Sequence, residues 1–362
     1  MKMNDLLHRN WKFLFGILLI YFVAWHYFFL GYTSWDAFVF RIPPIVELLQ
    51  HGDFQPWKFE SIFAQHPEPF FEFVHLPFLY FFGLPGLYFS FSLVLLPLAT
   101  FAVFLFAREA TLDSNWATYT ALSFLALPFV NEQPFAGYRD FAVVGSLAFF
   151  LYTLMKLTRL PENSIKDYGV FLCATLLFSF SRQHALYIAV ILFFSFQAWR
   201  FFDQNHSIQN LIGKKLLVVP FGLFLIGIFP SFILQTKQFL IYGSPIYPYQ
   251  FQAFGIQSET GISLKEVLEW GGLLGESWSD MGYAFIRGWL WIDHPPTEFY
   301  DSRNLGVGVS FWVLLLFLPV IVRHLDRFLC FLMVVFVGIS IAVQDFWLLR
   351  DLSSLLMPVL LR

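Results

Sequence analysis

Asp36 is the carboxylate in this sequence best placed for chemistry. It lies in Tyr32-Thr33-Ser34-Trp35-Asp36-Ala37-Phe38, shortly after an apolar run over 13–30 that is long enough to cross a bilayer. A carboxylate at that boundary is partly desolvated, which raises its pKa and makes it a better base. The same residue type is also a favoured N-cap for a following helix, so both roles stay open for Asp36. Asp140 follows Arg139 at the start of another apolar run, Arg182 and His184 stand between two more, and Arg350 opens the last. Asp140 could orient a polar substrate, help bind a metal ion or pair with an arginine from another loop. His184 could hydrogen-bond Asp140 or simply cap a helix end. Glu68, Glu72 and His75 have i, i+4, i+7 spacing and share one helix face, where they could hold a divalent ion, although such spacing is common by chance.

The elements that must position these groups are set by composition. The chain has 362 residues, 58% hydrophobic and 13% charged, with mean hydropathy +0.64 and 50 phenylalanines. A soluble domain cannot hide that much apolar surface, whereas a bilayer requires it. The net charge of −3 gives no reason to expect nucleic acid. Cys173 and Cys330 lie in apolar runs and read as packing residues, not as a disulfide or metal pair. No small-residue cleavage site follows the first apolar run, so it is expected to stay in the membrane. The fold class expected is all-α integral membrane: a single polytopic domain over 1–362 with about nine or ten spanning helices. Candidate spans are 13–31, 86–107, 115–134, 141–157, 168–182, 185–202, 215–235, 305–322, 328–345 and a short run from 350. That last run is half a span, which suggests a truncated or unusually short relative of a larger protein.

Basic residues give the orientation, because short cytoplasmic loops are rich in Lys and Arg. With the N-terminus inside, the inner segments carry Lys2, Arg9, Lys12, Arg108, Lys156, Arg159, Lys166, Arg200, Lys214, Lys215, Arg323 and Arg327, whereas the short outer turns carry Arg139, Arg182 and Arg350 singly. The bias holds only if 68–83, which contains Glu72, His75 and Pro77, lies along the outer surface as a helix instead of spanning. Two long outer loops result. The first, 32–85, has an amphipathic piece, Val46-Glu47-Leu48-Leu49-Gln50, after a Pro43-Pro44 break, and interfacial aromatics Trp35, Trp57 and Tyr80. The second, 236–304, reads as turns, one short helix over 264–270 and a Trp-rich stretch at 289–291. Asp36, Asp140, Arg182, His184, the stretch 237–303 and Arg350 therefore gather on one non-cytoplasmic lip. An enzyme working on a lipid-linked substrate needs such a lip, whereas a transporter strings polar groups through the bilayer.

Several segments, taken in order, resemble a known family. Trp35-Asp36-Ala37 running into Arg41-Ile42-Pro43 looks like the D-A-x-x-Y-H-L-P opening of the first outer loop in bacterial GT-C class polytopic glycosyltransferases, related to the protein mannosyltransferase and aminoarabinose transferase superfamily. His66-Pro67-Glu68-Pro69 is similar to their H-P-P step into a surface helix, and Tyr138-Arg139-Asp140-Phe141-Ala142-Val143 to their Y-x-D-L-A-V span start. Tyr242-Gly243-Ser244-Pro245-Ile246-Tyr247-Pro248 resembles their G-N-P-x-Y-P turn. Residues 300–308 resemble their Gly-rich approach to the next span, and 350–358 their R-Y-L-L-P segment. The resemblance covers most of the chain, and the shared order is its strength.

The resemblance implies a transferase whose donor is a polyprenyl-phosphate-linked sugar and whose acceptor is a glycan, lipid or protein. It also implies a bacterial inner membrane, with the active site on the periplasmic or outer face. Asp36 would be the general base, taking the proton of the acceptor hydroxyl as it attacks the anomeric carbon, with inversion there. Arg182, Arg350 and Arg139 would meet the leaving phosphate through the planar arginine fork, and His184 could donate to it. Each arginine could equally pair with a nearby carboxylate or reach for lipid headgroups. A divalent metal ion is possible, since some relatives bind one. The chain departs from the family in four places: Asp36 has no adjacent acid, Phe40-Arg41 replaces Tyr-His, Glu68 interrupts the two prolines, and the C-terminal part is short. These departures point to an altered substrate or keep a catalytically inactive scaffold in view, and a lipid or glycan transporter or flippase is the other competing reading.

Overall fold

The computed structural model describes residues 42–51, 69–111, 113–126, 130, 140–159, 164–182, 185–203, 215–244, 252–253 and 256–257. The expected spans 13–31, 305–322, 328–345 and the run from 350 lie outside these, as do the helix expected at 264–270 and the tryptophans of 289–291. Among the described residues the chain is helical, apart from a two-residue antiparallel pair, β1 (Gln252–Ala253) with β2 (Ile256–Gln257). Three helices are long and apolar enough to cross a membrane, Leu84–Ala110, Asp140–Leu157 and Val218–Tyr242. The class is the all-α membrane one that composition predicts.

The helix α1 (Ile42–His51) begins before Pro43 and Pro44 instead of after them. Prolines are tolerated in a first helical turn, where the missing N–H would have no partner, so the expected break is a helix start. Its face is split as the pattern requires: Ile45 is buried with Leu79 and Leu87, while Glu47 and Gln50 are exposed. The helix α2 (Pro69–Phe82) covers the segment read as surface-lying; it runs continuously past Pro77 and packs against α1. Gly83, at φ 66, turns the chain into α3 (Leu84–Phe89). A π-helical stretch (Ser90–Leu95) then leads into α4 (Leu96–Thr111).

After α5 (Ser114–Ala126), capped by Asp113, come α6 (Asp140–Arg159), α7 (Ile165–Ser181), α8 (Ala185–Asp203) and α9 (Lys215–Tyr242). The helix α5 is described through Ala126; of the rest of the expected span to 134 only Val130 is among the described residues. The helix α9 runs on past the expected limit of 235 through Tyr242, ending at Gly243 with φ 70. In its extra turns Gln235 and Gln238 are buried, whereas Thr236 and Lys237 stay exposed.

The helix α6 is the centre of the bundle. Of its membrane-length window 83% is buried, against 28% for α9, and it packs on α4, α7 and α8. A Cβ on Gly145 would fall 2.5 Å from Cα and Cβ of Ala99, so α4 and α6 touch backbone to backbone. Below that contact a phenylalanine cluster joins four helices. Phe150 of α6 stacks on Phe171 and Phe178 of α7, and Phe193 of α8 stacks on Phe224 of α9 with centroids 4.2 Å apart. Cys173 is free but exposed on α7, not packed as its apolar surroundings predict. In a bilayer helix an apolar neighbourhood in sequence can face lipid instead of core.

Candidate functional site

The chain enters α6 at Asp140 and leaves α7 at Arg182, and these two residues meet. Arg182 Nη1 lies 3.4 Å from Asp140 Oδ1, with the carboxylate side chain 9% and the guanidinium 26% exposed. Each charge sits where its helix favours it. Asp140 is in the first turn of α6, whose free N–H groups carry partial positive charge, and Arg182 caps α7, whose last carbonyls carry partial negative charge. Arg182 is extended, at φ −157 and ψ 154, and its carbonyl accepts the Ala185 N–H at 3.0 Å, so one short link joins α7 to α8 at this lip. At 3.4 Å the contact with Asp140 is longer than a bidentate arginine–carboxylate pair at about 2.7–2.9 Å.

The opposite end of the same hairpin is clamped as well. Lys156 of α6 donates to Asp167 of α7 at 2.8 Å, and Ser164 and Asp167 form a reciprocal capping box. Asp167 lies just before the apolar part of α7, and these donors, Lys156 first and Ser164 second, hold its carboxyl at about 2. Ion pairs thus fix both ends of the α6–α7 hairpin, one on the basic side and one on the lip that carries Asp140.

His75 does not present itself to solvent with Glu68 and Glu72. It is fully buried, its Nδ1 meets Ser90 Oγ in the π-helical stretch, and its ring lies 4.2 Å from that of Phe91. Ser90 Oγ also lies 2.7 Å from the Leu87 carbonyl, to which it can donate. Among the described residues no group of three or more His, Cys, Asp and Glu could hold a metal ion. Glu68 and the side chain of Glu72 lie outside them, as do Asp36, Arg139, His184 and Arg350.

Two features escaped the sequence reading. One is the His75–Ser90 contact across the α2–α3 turn. The other is the bonded serine pair of α7 and α9, Ser179 and Ser231. The spacing Gly227-x-x-x-Ser231, a small-residue pattern typical of close helix contacts in membranes, was the available signal for the second.

No protein-family model matches the chain, and no curated protein matches it. Among solved structures it is similar to ArnT from Cupriavidus metallidurans bound to undecaprenyl phosphate, with TM-score 0.49, 14% identity, and coverage of 97% of this chain and 76% of that one. It is similar also to the apo state of ArnT from Cupriavidus metallidurans, with TM-score 0.44, 14% identity, and coverage of 96% and 76%.

Proposed function

We propose that the chain is a membrane glycosyltransferase that moves a sugar from a polyprenyl-phosphate donor to an acceptor hydroxyl at the outer lip. The observation that carries this reading is where the ionisable groups lie. In the described helices Arg108, Asp140, Lys156, Lys166, Asp167, Arg200 and Lys237 all fall near helix ends, and the middle of each membrane-length helix holds none. A polar pathway through the bilayer would need such groups at mid-depth, so this placement favours surface chemistry over transport.

In the proposed reaction Asp36 accepts the proton of the acceptor hydroxyl while its oxygen forms the new bond to the anomeric carbon. The bond from that carbon to the phosphate oxygen breaks, the electron pair leaves with polyprenyl phosphate, and the configuration inverts. Arg182, assisted by Arg350, Arg139 and His184, offsets the charge on the departing phosphate, where arginine's planar fork suits the oxygens. Asp140 orients Arg182 and keeps its guanidinium at the lip. The lipid tail stays in the bilayer, and the site faces the non-cytoplasmic side of a bacterial inner membrane.

The test is donor turnover in membranes, comparing wild type with Asp36→Asn, Arg182→Ala and Arg350→Ala and reading release of lipid phosphate from labelled polyprenyl-phosphate sugars. Turnover in wild type that vanishes in Asp36→Asn at equal protein level supports the transferase and its base. Equal activity in Asp36→Asn removes the catalytic assignment.

A further inference from the structure

Asp140 is one hold on the Arg182 guanidinium, and the end of the helix that carries Arg182 is held as well. The helix α7 stops at Ser181, so the Ser179 carbonyl lies in its last turn. Its donor comes from another helix: Ser231 Oγ of α9 donates to it at 2.8 Å. In the other direction Ser179 Oγ lies 3.1 Å from the Leu176 carbonyl and 3.3 Å from that of Gly227 on α9. The helices come this close because Gly227 has no side chain. A Cβ there would fall 2.8 Å from Cβ and Cγ2 of Thr175. Pro230 is in the same turn of α9; its ring brings no N–H, which takes the in-helix donor from the Ile226 carbonyl. The two helices therefore hold each other across the turn of α9 that contains Gly227 and Ser231.

We propose that Ser231 is a positioning residue for Arg182. Its hydroxyl fixes the height and direction of the last turn of α7 through the Ser179 carbonyl, three residues before the arginine, or about 4.5 Å along a helix axis. This inference rests on the reading that Arg182 meets the donor phosphate. In that reading α9 sets the phosphate subsite without touching the ligand, and Ser231 governs donor affinity more than the chemical step.

The experiment uses the full chain in lipid nanodiscs, with two readouts on wild type, Ser231→Ala, Ser231→Thr, Ser179→Ala and Arg182→Ala. The first is steady-state turnover of a polyprenyl-phosphate sugar. The second is amide hydrogen exchange over 178–182, which needs no ligand. Ser231→Ala is expected to raise the donor KM roughly three- to tenfold, the range of one interhelical hydrogen bond in a membrane, with kcat nearly unchanged. Exchange over 178–182 should accelerate, and Ser231→Thr, which keeps the hydroxyl, should restore both values. Ser179→Ala, which keeps the carbonyl, should have the smaller effect. Unchanged KM in Ser231→Ala, with Arg182→Ala still impaired, overturns the inference and leaves the proposed function standing. Faster exchange without a KM change overturns it too, because the hold would then not reach the phosphate. No donor turnover in wild type overturns both.

Discussion

At the scale of single residues, the reading turns on which charges meet a ligand and which meet each other. Asp140 and Arg182 meet each other, so the pairing weighed for both in the sequence is the observed geometry. An arginine held by a carboxylate at a lip is oriented, and orientation is what a phosphate subsite needs. Replacing Asp36 by Asn should lower turnover by about 10²–10⁴-fold, the range of a general base, with donor binding retained. Arg182→Lys should raise the donor KM while preserving charge, because lysine lacks the planar fork; equal kinetics for Lys and Arg would argue for a simple point charge. Asp167 gives a pH prediction at the other end of the hairpin. Its folded value near 2 lies below the ordinary 3.8, so the stability it contributes is present above about 3.8 and is lost as pH falls through 2. Asp167→Asn should flatten the acid limb of a thermal-stability profile between these values. At neutral pH it should cost about 0.2–1 kcal/mol, as for an exposed pair.

At the scale of elements, close helix contact without side chains is the controlling device. Gly145 and Gly169 make the contrast testable. A Cβ at Gly145 meets Ala99 at 2.5 Å, mostly backbone and Cβ that cannot swing away, whereas at Gly169 nothing lies within 4 Å. Gly145→Ala should therefore destabilise by about 1–3 kcal/mol, as overpacking does. Gly169→Ala should be neutral or stabilising by up to about 1 kcal/mol, because glycine weakens a helix interior. Thermal midpoints in detergent would check both, and equal midpoints would mean that α4 and α6 are not in backbone contact. Element boundaries also show why sequence patterns mislead in membranes. The run Gln235-Thr236-Lys237-Gln238 looks like the start of a loop, yet α9 continues through it with Gln235 and Gln238 turned inward. Pro43-Pro44 looks like a break and is a first turn. In both cases the polar or helix-breaking residue falls where its helix tolerates it.

At the scale of the whole molecule, the proposal is a bundle with one basic face and one working lip. The hairpin α6–α7 ties them together, with Lys156–Asp167 at one end and Asp140–Arg182 at the other. The orientation makes a direct prediction. A cysteine at Lys166, exposed at the start of α7, should react with a membrane-impermeant maleimide only from the cytoplasmic side. One at Gln50, exposed on α1, should react from outside. Labelling of both from outside would make 69–82 a span, and labelling from exchanged sides would invert the proposed topology.

The sequence by itself determined the class of this protein. Its apolar runs have bilayer length, and a bilayer leaves their backbone groups no partner but the helix, so an all-α membrane fold follows from composition. The amphipathic split of α1 and the start of α6 at Asp140 were legible for the same reason: they depend on local spacing. What only the tertiary structure decided is partnership. Nothing local says that Asp140 pairs with Arg182, that His75 turns inward to Ser90, or that Ser231 donates to the last turn of α7. Those contacts join residues far apart in the chain, and they exist because glycines and small residues let particular helices approach more closely than side chains would allow.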